Sequence, residues 1–177
     1  MMTQDRMNLL AVADVIDRAT GAIGRAVAWL SLAVVLTQFA VVVLRYAFGL
    51  GSIWLQESII YGHAALFLLA AAWTLQQGGH VRVDIFYAEA APARKALIDL
   101  AGAVLLLVPF ALVLLFLSLP YVGRSWSILE RSREASGLPF VYLLKTLIPA
   151  FALLMALQGI AQALRAAALL RADRARG

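Results

Sequence analysis

Few side chains in this sequence could hold a cofactor, move a proton or clamp an anion. Its two histidines, His63 and His80, are 17 residues apart. On one helix that spacing is about 25 Å, too far for both imidazoles to ligate a single haem. With no third histidine, each reads as a polar side chain, His63 within a helix interface and His80 at headgroup level. No zinc-protease, nucleophile-elbow, phosphate-loop or dinucleotide motif occurs. Zero cysteines remove disulfides, iron–sulfur clusters and thiolate metal sites. The expectation is a protein that is not an enzyme and that holds no cofactor or metal of its own.

A second constellation is Arg45 and Glu57, which bracket the segment Arg45-Tyr46-Ala47-Phe48-Gly49 through Trp54-Leu55-Gln56-Glu57. Tyr46 and Trp54 suit a membrane boundary, where an amphipathic ring places its polar edge toward water. Two readings stand side by side. All four residues mark a boundary, or Arg45 clamps Glu57 or a lipid phosphate with its planar fork. Lys145 lies near enough to the end of an apolar run to snorkel.

The elements that must position these residues follow from composition. Of 177 residues, 63% are hydrophobic and 14% charged, with a mean hydropathy of +0.87. A water-soluble domain is about 45–50% apolar and about 25% charged, so this chain has too little polar surface to be one. The net charge of +5 belongs to bases at the ends of apolar runs, which suits membrane topology better than nucleic acid.

Gaps between charges give the architecture. Ala26–Leu44, Ser58–Gly79, Leu100–Gly123 and Thr146–Leu164 carry no Asp, Glu, Lys or Arg. Each run reaches the ~20 residues a helix needs to cross a bilayer. The expected fold is an all-α integral membrane protein with four transmembrane helices. It forms one domain over residues 1–177, with spans near 26–45, 57–78, 97–122 and 139–165. Leu9, Val12, Ile16 and Ile23 fall near one helical face, which predicts an N-terminal amphipathic interfacial helix over 8–25 or a solvated helical tail. Residues 124–136 mix charges with Trp126, Ile128 and Leu129 and read as an interfacial connection on the outer side. Pro109, Pro120 and Pro149 should kink their spans. Counting bases gives ten on the side of Arg18, Arg25, Arg94 and Arg165 against five on the side of Arg45, Arg124 and Lys145. That asymmetry puts both termini in the cytoplasm.

The string Arg45-Tyr46-x-Phe48-Gly49, then Trp54-x-x-Glu57, then His80-Val81-Arg82-Val83-Asp84, resembles the small permease subunit of TRAP (tripartite ATP-independent periplasmic) transporters. Gly137-Leu138-Pro139 and Ile148-Pro149 fit the same pattern, which covers roughly residues 20 to 165. Gln56 departs from it, since the family often has an acid there. The resemblance implies a bacterial inner-membrane scaffold subunit of a sodium-coupled importer of organic acids. Its partners would be a large elevator-type permease subunit, carrying the substrate and sodium sites, a periplasmic solute-binding protein, and phospholipid. The implied partner or lipid interface is Arg45, Tyr46, Trp54, Glu57, His80, Arg82 and Asp84. A stand-alone small multidrug-type exporter and a four-helix anchor of a redox enzyme are the alternatives. The exporter needs a membrane-embedded carboxylate, for which Glu57 is the candidate, and the histidine spacing argues against the anchor.

Overall fold

In hydrocarbon every backbone N–H and C=O must find its partner within the protein, and a helix meets that demand within one segment. The charge-free runs accordingly lie in helices in the computed structural model, which describes residues 2–81 and 87–174. Arg82, Asp84 and Arg176 lie outside the described residues. Among the described residues there is no strand, and four helices are long and apolar enough to span a membrane.

Helix α1 runs from Met2 to Phe48. Gly49 ends it with φ +68°, and Leu50 N–H returns to Leu44 O at 2.9 Å. Helix α2, Ile53–Gln76, starts on Ser52, whose hydroxyl accepts from Leu55 N–H at 3.3 Å. The third span is built from α3 (Pro92–Gly102), one wide π turn (Ala103–Leu107) and α4 (Val108–Ser127). Pro92 opens α3, where its missing N–H costs nothing. The π turn, in which Val108 N–H bonds back to Ala103 O, sits directly before Pro109. Proline has no N–H to donate and its ring crowds the carbonyl four residues back, so the wide turn takes up the misfit. Helix α5, Val141–Arg174, and α4 run through Pro149 and Pro120 as unbroken helices.

Residues 8–25 are not a separate interfacial helix. They continue the first span without a break, giving α1 a length of about 70 Å. The face turned inward is also different from the apolar one read from the sequence. Ala13, Asp17, Thr20 and Gly24 are buried there, whereas Val12 is exposed. Packing against neighbouring helices has selected small and polar groups over the larger apolar ones.

Helix α5 lies at the centre and touches each of the others. Its core contact joins Met155 and Ala156 to Ala72 of α2 and Ala111 of α4, with Leu75, Leu107, Phe151 and Leu154 around them. Lipid tails are as apolar as leucine, so helices gain by approaching closely over small residues. The crossing of α1 and α2 shows this at Gly24, where an added Cβ would lie 2.4 Å from Trp73 Cβ. At Gly21 the nearest atom would be the end of the Arg25 side chain, at 3.2 Å.

These two glycines therefore separate in a mutational test. Gly24→Ala should destabilise the detergent-solubilised protein by about 1–3 kcal/mol, as overpacking does, while Gly21→Ala should be tolerated. Thermal unfolding of the two variants, matched for expression, measures the difference. Equal midpoints would disprove a tight crossing at Trp73.

Candidate functional site

Polar side chains gather at the two ends of the bundle. At the end that holds both termini, Asp17, Thr20 and Gln158 are almost fully buried. Thr20 Oγ1 donates to Gln158 Oε1 at 2.9 Å, and Gln158 Nε2 donates to Asp17 Oδ1 at 2.8 Å. The other carboxylate oxygen of Asp17 is ion-paired with Arg165, whose Nη2 also donates to Asp14 Oδ1 at 2.8 Å. Gln76 Nε2 reaches Asp17 O at 3.2 Å. One carboxylate residue thus ties α1 to α2 and α5. Gln158 and Arg165 are seven residues apart, two turns of one helix, so both side chains meet α1 along one stripe.

The opposite end holds a second clasp. Glu57, in the second turn of α2, accepts the Ser132 hydroxyl on Oε1 and the Leu138 N–H on Oε2, the latter at 2.5 Å. Ser132 N–H closes the loop onto Leu138 O at 3.1 Å. Gly137 lies against this carboxylate so tightly that a Cβ there would come within 2.7 Å of Glu57 Oε1 and 2.4 Å of Ser132 Cβ. The connection between α4 and α5 is further fixed by Lys145, which pairs with Glu130 at 2.5 Å and sits 4.2 Å from the Tyr121 ring centre. The Lys145 ammonium holds the Glu130 carboxyl below its ordinary range. Trp126 Nε1 donates to Thr146 Oγ1 at 2.8 Å and packs edge-on against Tyr142. Leu129, with φ +46°, closes α4 by a Schellman turn in which Glu130 N–H returns to Ser125 O at 3.0 Å.

Of the described residues of the implied interface, Glu57 alone enters a clasp, with Gly137 and Leu138 of the same sequence pattern against it. Arg45 and Glu57 do not form an ion pair, because both carboxylate oxygens of Glu57 are turned to the 132–138 loop. Arg45, Tyr46 and Trp54 are exposed at the same end, Tyr46 at 84%. His80 is exposed just past α2, and His63 is exposed within it, stacked on Phe67 with ring centres 6.3 Å apart. Lys145 does not snorkel freely, since Glu130 and Tyr121 hold it. Sequence reasoning passed over Asp17, Gln158 and Ser132. A signal for the first two was present, namely an amide deep in an apolar run two turns before an arginine. Among the described residues no group of three or more His, Cys, Asp or Glu is placed to hold a metal.

Four apolar spans, small residues at the crossings and polar clasps at the ends define a multi-pass helical membrane protein. The family model for the DctQ component of tripartite ATP-independent periplasmic transporters matches residues 34–169, and the chain belongs to that family. It is the small subunit of a TRAP transporter, a tripartite system with a large permease and a periplasmic binding protein. No curated protein and no solved structure matched.

The two clasps make separate predictions. Glu57→Gln keeps the shape but removes the charge and leaves one acceptor oxygen where the carboxylate has two, so the 128–140 connection should loosen, by roughly 1.5–3 kcal/mol for a lost charge-assisted bond. Faster proteolysis of that connection in the variant is the expected result; an unchanged cleavage rate would dismiss the clasp. At the other end, Arg165→Ala leaves the buried Asp17 carboxylate without its cation and should cost on the order of 3 kcal/mol. Asp14→Ala removes only the exposed half of the pair and should cost less than about 1 kcal/mol. Denaturant or thermal unfolding in detergent separates the two, and comparable losses would show that Asp17 does not depend on Arg165.

Proposed function

We propose that this chain is the stationary scaffold subunit of a sodium-coupled importer of an organic acid, seated in the bacterial inner membrane. It packs against a large elevator-type permease subunit that carries the substrate and sodium sites, and a periplasmic protein delivers the solute. It performs no reaction itself. The family match supports the assignment to a transporter complex. The observation that carries the scaffold role is the use of the polar groups: Asp17, Thr20, Gln158 and Arg165 bond one another, and Glu57 bonds a loop. A moving transport core needs polar groups turned toward a solute at broken helices. Here they hold helices and loops together. Glu57 is likewise engaged, which removes the carboxylate that a stand-alone exporter would require.

Both termini lie in the cytoplasm in this reading, supported by the ten-to-five split of bases. The Glu57 end then faces the periplasm, where Arg45, Tyr46 and Trp54 meet a phospholipid headgroup or a partner. His80, Arg82 and Asp84 do the same on the cytoplasmic side.

Two measurements test the proposal together. Cysteines placed at Ser52 and Ser132 should react with an impermeant thiol reagent added to the periplasmic side, and one at Ala90 should not. In liposomes, sodium-driven uptake should require the large subunit and the binding protein together with this chain. Uptake by this chain alone would overturn the scaffold role, and labelling of Ala90 from outside would overturn the topology.

A further inference from the structure

Helix α1 repeats its inward face in an uncovered position. An α-helix returns to the same angle after 18 residues, five turns or about 27 Å. Ala13, Asp17, Thr20 and Gly24 are buried. Their equivalents five turns on are Ser31, Val35, Gln38 and Val42, with Arg45 next along the stripe, and every one of these is exposed. The spacing of four, three, four and three residues keeps these five side chains on one face of the helix.

Gln38 gives the stripe its meaning. It lies seven residues inside Arg45 and thirteen from Arg25, so its amide is about 10 Å and about 20 Å from those flanking charges. That is hydrocarbon depth. The neighbouring hydroxyls are satisfied by their own helix, Ser31 by Ala28 O at 2.7 Å and Thr37 by Ala33 O at 2.8 Å. The Gln38 side chain makes no hydrogen bond among the described residues. An amide facing lipid tails without a partner is costly, and a polar group in that position is met by another helix. Five turns earlier on the same face, Thr20 meets Gln158 of α5 in that way.

The other outer faces differ. On α1 itself Trp29, Leu32, Leu36 and Phe39 form an adjacent stripe of large apolar side chains, all exposed. The exposed face of α4 around Phe110, Val113, Phe116 and Leu117 is wholly hydrocarbon. Those faces suit lipid, whereas small, β-branched and amide side chains suit a helix at close range.

We infer that the stripe Ser31, Val35, Gln38, Val42 and Arg45 on α1 docks a transmembrane helix of the large permease subunit, with a hydrogen-bonding side chain of that helix opposite Gln38. This rests on the proposed function above. A second copy of this chain fits less well. Copies sharing one membrane orientation would bring Arg45 against Arg45 on a parallel seam, whereas a carboxylate on a different partner would complement it.

The test uses the assembled complex. A photoreactive amino acid is placed singly at Gln38, Val42 and, on the α4 face, Val113, and each complex is irradiated in the membrane. The expected result is an adduct with the large subunit from positions 38 and 42 and none from 113. In parallel, Gln38→Leu should weaken copurification of the large subunit, by roughly three- to fifteen-fold for one interhelical hydrogen bond in a membrane. Adducts between two copies of this chain, adducts with lipid alone, or large-subunit adducts from Val113 and not from Gln38 would each overturn the docking face. Wild-type protein is the control that separates the two claims. If it fails to copurify with the large subunit the scaffold reading falls; if it copurifies and position 38 gives no adduct with that subunit, only the docking face does.

Discussion

The fold depends on a buried carboxylate whose two oxygens are both met by donors from elsewhere in the chain. Asp17 is taken out of water between α1 and α5, and an isolated charge in that setting is expensive. Its partners come from elsewhere in the chain: Gln158 on one oxygen, Arg165 on the other. Satisfying the charge therefore sets the register of α5 against α1, since the two donors are separated by two helical turns and both must arrive. Gln76 adds α2 through the Asp17 carbonyl. In lipid, where burial of apolar surface gives helices little reason to choose one neighbour over another, such directional contacts supply the specificity.

Glu57, half-buried, is held at the other end by a different partner set. It accepts from a hydroxyl and a backbone N–H, both presented by the loop between α4 and α5. The loop carries groups that would be difficult to leave free near a membrane, and folding onto a carboxylate gives them acceptors. Gly137 is what lets the backbone come so close. Between the two ends the closest contacts centre on alanine, glycine and methionine, with larger apolar side chains around them. Directional bonds thus fix which helices meet and in what register, and small side chains set how near they come.

The four spans were legible because a charge is nearly incompatible with hydrocarbon, so its absence over 19 or more residues is itself a structural signal. An irregularity in the span around Pro109 was legible because proline has no N–H to donate, although its form as a π turn was not. The clasps were hidden. Arg45 and Glu57 are close in sequence at one hairpin, which made their pairing one of two readings, yet both oxygens of Glu57 are engaged by residues 75 and 81 positions away. Asp17 carried no mark of burial, because Asp14 and Arg18 beside it are exposed. Nothing in a single sequence distinguishes the one carboxylate that α5 covers. The N-terminal segment misled for the complementary reason. Its apolar residues suggest a helix lying on a surface, but no proline lies between residues 8 and 45, the helix runs through Gly21 and Gly24, and it continues into the span.

A subunit whose carboxylates Asp17 and Glu57 are both engaged within the bundle has a limited means of recognising anything outside. What remains is the pattern on its outer surface. Lipid tolerates large apolar side chains in any arrangement, so a lipid-facing surface needs no periodicity beyond being apolar, and the outer faces around Phe39 and Phe116 are of that kind. A protein-facing surface must give up bulk so that backbones can approach, and must offer a partner for each polar atom it displays. Within the spans these demands favour the few outward stripes where small and polar side chains recur at helical spacing. A scaffold subunit of the kind proposed above would be joined to its neighbour through such stripes.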